Sequence, residues 1–515
     1  MRSLLSPSPL TGEGWGGGVT LLVLSAFLLS ACAVGPDYVR PQPAAPAQFE
    51  RADAATETTE PVAEFWQRFE DPVLTRLVQE SLVANHDLRG ALARVEQAFA
   101  LARLQGYDRL PTVTAEGGYT ESQTSADQAP GVPAQALETE IYDAGAVAFW
   151  ELDLFGRVRR SIESSRAEAA AAEADLRALQ VSIAAEVARS YFELRGHQEQ
   201  LRIAQDNAAN QRETLNLTEL RLKAGRGTEF DTARARAQLE STLSRIPALE
   251  ADIAATIHRL AVLNGRQPGE LRAELEASQP LPVLPATVAV GTPAELLRRR
   301  PDIQAAERRL AAATARIGVA TADLFPRVTI NGAYGSAADS LGDLFSSSTE
   351  TFAFGPSISW AFLDLGRVRS RIAASDAATD AQLAAYEGTV LRALEEAESA
   401  LVRYRKTRDE SGHLKDAAEA STKAAQMARL RFDAGAADFL QVLDAERSLL
   451  SAEDQLAESR TRATTALVAV YRSVAGGWPE RAPQSLTARK SDDDSGDDIL
   501  EASNLSRNTA TKKES

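Results

Sequence analysis

The chain has 515 residues and carries 72 acidic against 56 basic side chains, a formal charge of −16, which disfavours a nucleic-acid binder because such proteins present a basic footprint. A single cysteine excludes an internal disulfide and a multi-cysteine metal site. Aromatic residues are only 6% of the chain and alanine is abundant, a composition that suits long helices.

The apolar run Val19 to Leu29 is too short to span a bilayer, which needs about 20 residues. It has the size of a secretory signal core, so residues 1–31 read as a signal peptide. The run ends in Leu29, Ser30, Ala31 and Cys32. This resembles the bacterial lipobox, in which the thiol receives diacylglycerol and the new amino terminus an N-acyl chain such as palmitate. A plain secretion signal with a chance cysteine is the alternative. Ala33 rather than Asp follows the cysteine, which by lipoprotein sorting rules points to the outer membrane. Residues 32–65 then form a lipidated N-terminal segment.

From residue 66 the chain is written twice. HDLRGALARVEQAFALARLQGYDRLPTVTAEGGY from His86 aligns with PDIQAAERRLAAATARIGVATADLFPRVTINGAY from Pro301, at an offset of 215. LDLFGRVRRSIESSRA from Leu152 aligns with FLDLGRVRSRIAASDA from Phe362 at an offset of 210, which also places Trp150 on Trp360 and Gly225 on Gly435. The same offset of 210 sets LRLKAGRGTEF from Leu220 on LRFDAGAADFL from Leu430, and three blocks in the same order make an internal duplication. The repeats cover 66–264 and 293–478, with a Pro- and Gly-punctuated linker at 265–292 and a polar, acidic tail at 479–515 that reads as disordered.

Each repeat reads as helix, strand, loop, strand, long helix, turn, helix. Pro111 and Pro326 stop the first helix and begin a strand. No proline interrupts Gly156 to Ala224 or Gly366 to Ala434, so each predicts a helix of about 100 Å. Ala167, Ala171, Ala174, Ala178, Val181, Ala185, Ala188 and Phe192 step by fours and threes along the first; Leu383, Tyr386, Val390, Leu394, Ala397, Leu401 and Tyr404 do so along the second. Such seams are coiled-coil or ordinary core faces. Gly225 and Gly435 fall where the helices turn back, in the left-handed conformation that ends helices. A second helix follows each turn, Phe230 to Leu263 and Phe439 to Val474.

The strands are short. Phe352, Phe354, Pro356, Ile358, Trp360 and Phe362 share one parity, and Ala353, Gly355, Ser357, Ser359 and Ala361 the other. Val328, Ile330, Gly332 and Tyr334 alternate likewise; Val113 to Tyr119 and Ala146 to Leu154 are weaker versions. Large apolar residues on one face and small or polar ones on the other suit a membrane β-strand with Phe352, Phe354, Ile358, Trp360 and Phe362 facing lipid. Residues 121–142 and 336–351 read as polar extracellular loops. Four strands cannot close a barrel, and an open edge in lipid leaves backbone groups unpaired. Spanning therefore requires more than one copy, without fixing the number.

These residues resemble a known family. CAVGPDYVRP after the lipobox, LLRRRPDIQAAERRLAAATARIGVATADLFP from Leu296, FLQVLDAERSLLSAEDQL from Phe439 and YRSVAGGW ending at Trp478 resemble the TolC-like outer membrane factors, closest to the NodT-type lipoproteins of efflux systems. The resemblance implies a mostly α fold with a small transmembrane β part. It implies a homotrimer whose 12-strand β-barrel continues into a long periplasmic α-helical barrel closed at its tip. A periplasmic adaptor protein and an inner-membrane RND-type pump are the implied partners, beside outer membrane lipid. It places a gate aspartate at Asp444 in QVLDAER, with Arg447 one turn on. Gln441 stands where some relatives have a second aspartate. A ring of three Asp444 carboxylates would form a cation-selective constriction; an exposed helix-surface pair is the bland alternative. Gly225, Thr228, Phe230, Gly435 and Phe439 become adaptor-contact tips.

None of His86, His197, His258 and His413 pairs at metal-ligand spacing, and no catalytic or nucleotide-binding motif is present, so the reading is a passive duct and not an enzyme. The duct of a type I protein secretion system is one rival. A lipid-anchored periplasmic coiled-coil scaffold is another, which would need no alternating strands.

Overall fold

The computed structural model describes residues 33–51, 56–59, 64–131, 133, 136–285 and 287–474. The predicted signal peptide, Cys32, Trp478 and the acidic tail lie outside them. The described elements are β1 (Thr56–Glu57), α1 (Pro72–Ala84), α2 (His86–Tyr107), β2 (Thr112–Gln123), β3 (Glu138–Leu152), α3 (Arg157–Lys223), α4 (Glu229–Leu243), α5 (Ile246–Leu263), α6 (Arg272–Leu275), β4 (Val288–Ala289), α7 (Pro293–Arg299), α8 (Pro301–Ala322), β5 (Arg327–Ala338), β6 (Glu350–Ser359), α9 (Leu365–Asp433) and α10 (Phe439–Ser473).

The duplication is explicit in this order: α2, β2, β3, α3 and α4–α5 recur as α8, β5, β6, α9 and α10. The long helices have 67 and 69 residues, about 100 Å each at the α-helical rise. On α3, Ala171, Ala174, Val181, Ala185, Ala188 and Phe192 of the predicted seam are buried; on α9, Tyr386, Val390, Ala397, Leu401 and Tyr404 are. Small buried side chains let helix backbones approach closely.

Three expectations change. The helix predicted as continuous from Phe230 to Leu263 is broken between α4 and α5. Pro247, at the start of α5, has no N–H to give and its ring displaces the preceding turn. Its counterpart α10 has no proline and runs unbroken for 35 residues. Secondly, the strands extend into the predicted loops, reaching Gln123, Glu138, Ala338 and Glu350, because ladder pairing continues past the apolar part of each hairpin. The last strand ends at Ser359, short of Trp360 and Phe362. Thirdly, the linker is partly ordered. It holds α6, and β4 pairs in parallel with β1, Thr56 facing Val288.

The described chain divides into two compact units that do not follow the repeats. One comprises 96–172 and 305–388 with the N-terminal segment up to Gln42; the other comprises 43–95, 173–304 and the chain from 389. The boundaries fall inside α3 and α9, and each unit takes material from both repeats.

The first unit holds the sheet, in the order β2-β3-β5-β6, every pair antiparallel. Its N-terminal segment is pinned by Arg160, a nearly buried side chain that donates to Asp37 at 2.6 Å and Glu163 at 2.8 Å. Gly35 and Gly156 have φ of +91° and +82°. A Cβ on Gly35 would lie 2.4 Å from the Cα of Gly318, and one on Gly156 would lie 2.6 Å from the Cβ of Ala33. Tyr38 donates to the buried Glu307 at 3.1 Å.

The core of the second unit is aromatic. Phe65 stacks on Tyr471 at 5.2 Å and Phe69 packs on Phe192 at 4.7 Å. Tyr191 donates to Asp71, the N-cap of α1, at 2.6 Å. The fully buried Arg195 donates to Gln198 and to the Ala277 carbonyl, fastening the linker to α3. Arg300 joins the start of the second repeat to its end, donating to Ser473 O and Glu396, each at 2.8 Å. Arg472 donates to the same carboxylate.

Candidate functional site

Two regions hold the residues to which the sequence assigns roles: the four-stranded sheet of the first unit and the paired helix turns of the second.

Directly opposed residues in a β-ladder share a face. One face of the sheet therefore carries Val113, Ala115, Gly117 and Tyr119 of β2 with Tyr142, Ala144, Ala146, Ala148, Trp150 and Leu152 of β3. It continues with Val328, Ile330, Gly332 and Tyr334 of β5 and Phe352, Phe354, Pro356 and Ile358 of β6. Phe352, Phe354 and Ile358 are 80%, 78% and 70% exposed, which water would penalise and lipid would not. Trp360 and Phe362 are exposed just beyond β6. The opposite face carries Thr112, Thr114, Glu116, Asp143, Asn331 and Ser357, with Val147 and Phe149 as apolar exceptions. The sheet thus has one apolar and one mainly polar side.

Its charge is one-sided too. No lysine or arginine stands between Arg109 and Arg157, or between Arg327 and Arg367, while those two stretches hold 12 acidic residues. The basic residues gather where the sheet meets the helices. There Arg157 donates to both oxygens of Glu151, Arg159 pairs with Asp153, and Arg327 and Arg371 converge on Asp323. The indole N–H groups of Trp150 and Trp360 each donate at 3.0 Å to a main-chain oxygen, of Arg109 and Leu324 respectively. Donors and acceptors are related by the same 210 and 215 offsets that relate the sequence blocks.

The tips are built alike. Gly225 and Gly435 have φ of +68° and +70°. Arg226 N–H donates to Arg221 O and Ala436 N–H to Arg431 O, each at 2.8 Å. This closes both helices with a Schellman turn. Thr228 caps α4 through a capping box with Asp231, and Asp438 caps α10 by accepting from Gln441 N–H at 3.1 Å. Phe230 is 65% exposed, with Arg234 over its ring. Phe439 is not. It is buried with Phe432, Val442 and Ala235, and Arg221 lies 3.9 Å over the Phe432 ring. Phe439 shapes the tip from inside, which corrects its expected contact role.

Gln441, Asp444 and Arg447 form one exposed stripe of α10. Arg447 donates to Asp444 at 3.1 Å, their side chains 70% and 66% exposed. Within one chain this is a local, exposed surface pair. The buried acid lies two residues away. Glu446 Oε1 accepts from Arg429 Nε at 3.1 Å and from the Thr214 hydroxyl at 3.2 Å. Arg429 also reaches the Asn210 carbonyl. Burial pushes the Glu446 carboxyl above the usual range, and Arg429 and Thr214 offset only part of that push. The sequence reading missed this residue. Its signal is the spacing Val442, Glu446, Leu450, which places a glutamate on the apolar face of the helix.

Among the described residues no helix is long and apolar enough to cross a membrane, and no cluster of metal-ligating side chains is present. Cys32, the expected site of lipidation, lies outside the described residues.

The model of the family described as "Outer membrane efflux protein" matches residues 77–266 and 292–476, one segment per repeat. Nodulation protein T of Rhizobium leguminosarum bv. trifolii is 31% identical over 435 residues, 84% of this chain and 92% of that protein. The probable efflux pump outer membrane protein TtgC of Pseudomonas putida is 31% identical over 473 residues, 90% of this chain and 96% of that one. Among solved structures, the outer-membrane channel OprN superposes with a TM-score of 0.81 at 46% identity, covering 87% of this chain and all of OprN. With a matching model over both repeats and the same fold, the chain belongs to the outer membrane efflux protein family.

Proposed function

We propose that this outer membrane efflux protein works as one of three identical subunits of a passive exit duct, through which a periplasmic adaptor and an inner-membrane RND-type pump expel small molecules. The observation that carries the reading is the sheet: four strands, one face apolar and exposed, with both edges unpaired in the single chain. Such a sheet is stable in lipid only when copies close it. A tethered coiled-coil scaffold would have no use for that face.

The energy for transport comes from the pump, since the chain carries no nucleotide-binding motif. Cys32 anchors the mature chain through its diacylglycerol and N-acyl chains. The position of Ala33 against Gly156, at the junction of β3 and α3, supports an anchor at the periplasmic end of the sheet. Asp444, with Gln441 and Arg447 beside it, lines the closed tip. Gly225, Thr228, Phe230 and Gly435 form the surface that meets the adaptor.

The test is the protein mass of the detergent-extracted particle, followed by conductance in a planar bilayer. Three chains per particle and a voltage-driven ion current are expected. A monomer that stays soluble without detergent after Cys32→Ala would replace the duct with the scaffold.

A further inference from the structure

The duplication gives both repeats the same joint between helix and strand, and in the second repeat that joint carries two extra cations. Asp108 and Asp323 are equivalent at the 215 offset, but Thr112 is replaced by Arg327. At the 210 offset Ser161 is replaced by Arg371. Both arginines turn to the shared aspartate. Arg327 donates to Asp323 Oδ1 at 3.3 Å and Arg371 to Asp323 Oδ2 at 3.2 Å.

Two guanidinium groups on one carboxylate leave a positive charge unmatched, and the neighbouring acids do not supply the balance. Glu151 accepts from Arg157 at both oxygens and stands 3.8 Å from Arg327 Nε, too far for a hydrogen bond. Asp153 accepts from Arg159 and from the Val158 and Arg159 N–H groups at the start of α3. The Arg327 and Arg371 side chains are 45% and 58% exposed, so their remaining donors are open to a ligand.

These groups border a cavity of about 220 Å³ on the polar side of the sheet, the face shared by Glu151, Arg327 and Ser359. Asp323 and Arg371 also border a groove of about 680 Å³ between α2, α3, α8 and α9, the size of a small-molecule site. Its walls include Ala98 and Leu101 of α2, Val319 and Ala320 of α8 and Ala374 of α9. Leu101 is 56% exposed there, which water penalises and an apolar guest would not. The far end carries the Glu168–Arg316 ion pair, at 2.7 Å. Arg316 and Asp323 are seven positions apart, which at the α-helical rise gives the groove a length of about 10 Å.

We propose that this joint binds a single-chain amphiphile with one anionic head group, the head on Arg371 and Arg327 and the tail along α8 in the groove. Charge selects the head. The arginines leave one cation unmatched, and guanidinium is suited to carboxylate and sulfonate oxygens. The tail runs toward the helices because residues 110–156 and 328–366 hold 12 acids and no lysine or arginine. The site is complete within one chain. That its guest arrives through water, and is not a bilayer lipid, rests on the reading of the polar side as the wall of the duct.

The test is calorimetric titration of the full chain in phosphatidylcholine nanodiscs with octane-1-sulfonate below its micelle concentration, against empty nanodiscs. One site per chain is expected. Octyltrimethylammonium, with the same tail and the opposite charge, and ethanesulfonate, with the same head and almost no tail, should each bind at least about tenfold more weakly. Arg371→Ser and Arg327→Thr install what the first repeat carries at those positions, and each should weaken octane-1-sulfonate binding about tenfold, the loss of one charge-assisted hydrogen bond. Far-ultraviolet circular dichroism should not change. Equal binding of the cationic and anionic amphiphiles would overturn the head site, and so would unchanged affinity in both arginine variants. Equal binding of ethanesulfonate would overturn the groove. If one variant fails to fold, the other variant and the three probes on the unaltered chain still decide. Particle mass is read on the same preparation, so failure of the trimer is seen separately from loss of the site.

Discussion

Arg429 on α9 and Glu446 on α10 share a hydrogen bond of 3.1 Å near the tip, and only one of them is truly buried. The Glu446 side chain is 8% exposed and that of Arg429 40%. Glu446 Oε2 has no hydrogen-bond partner among the described residues. The pair is therefore asymmetric. Removing the arginine strands a buried carboxylate with only Thr214 beside it. Replacing the acid by its amide keeps the shape and removes the desolvated charge. Arg429→Ala should lower stability by about 1–3 kcal/mol, and Glu446→Gln by less than about 1 kcal/mol. Urea midpoints of the detergent-solubilised protein check the ranking; the reverse order would mean the ion pair itself, not the cost of breaking it, dominates.

The same carboxylate gives a pH signature opposite to that of Glu396. Burial raises the Glu446 carboxyl above its unfolded range. Its penalty is complete above that raised value, and stability returns as pH falls toward the ordinary carboxylate range. Burial also works against ionised Glu396, but the hydrogen bonds from Arg472 and Arg300 outweigh it and hold the carboxyl below its usual range. Its contribution is present above the unfolded value and is lost as pH falls through the folded one. Acidification from neutral should thus first firm the tip and later loosen the joint at Arg300. Hydrogen exchange of amides in 429–446 and in 396–400, followed from pH 7 downward, should diverge in that order. Glu446→Gln should abolish the first change and leave the second.

How much of this was legible before the structure depends on the kind of signal. The duplication, the long helices and the glycine turns were readable because offsets, proline-free runs and Gly225 and Gly435 are properties of the chain alone. The two tryptophan bonds, to Arg109 O and Leu324 O, are that duplication made physical. The break at Pro247 was readable too, since a proline inside a helical run removes an N–H and crowds the preceding turn, even though the matching helix of the second repeat has none. Strand ends were not, because Gln123 and Glu138 are polar and become strand only by pairing with each other. The partners of Glu446 come from α3 and α9, separated from it by 232 and 17 residues, and sequence spacing cannot bring them together.

The glycines separate a conformational cost from a collision. Gly435 has positive φ but open space around its missing Cβ. Gly435→Ala should cost about 1–2 kcal/mol from the left-handed backbone alone. Gly156→Ala meets the same backbone problem and in addition the Cβ of Ala33 at 2.6 Å. It should displace the N-terminal segment from the start of α3. Limited proteolysis within 33–46 should become faster in Gly156→Ala and stay unchanged in Gly435→Ala. Equal protection in both would show that the segment is not held at Gly156.

Asp444 and the sheet should make separable contributions to ion selectivity. The Asp444–Arg447 pair is exposed and local, so its loss should change stability by no more than about 1 kcal/mol. In the proposed closed trimer, however, three such carboxylates would face one another across a narrow tip. Repulsion and bound cations there would set the resistance of the duct. Asp444→Ala should therefore raise single-channel conductance in a planar bilayer and weaken cation preference, without moving the melting curve. The preference should not vanish. Residues 110–156 and 328–366, which include most of the sheet, hold 12 acids and no lysine or arginine, and Glu116 and Asp143 lie on the polar face. That fixed charge continues to favour cations wherever the pore is narrow relative to the screening length, about 10 Å at 0.1 M salt. Reversal potentials in a salt gradient test this. Glu116→Gln with Asp143→Asn should lower the cation preference and leave the closed-state conductance alone, the mirror image of Asp444→Ala. If Asp444→Ala changes neither quantity, the aspartate is a surface residue and the constriction lies elsewhere in the tip.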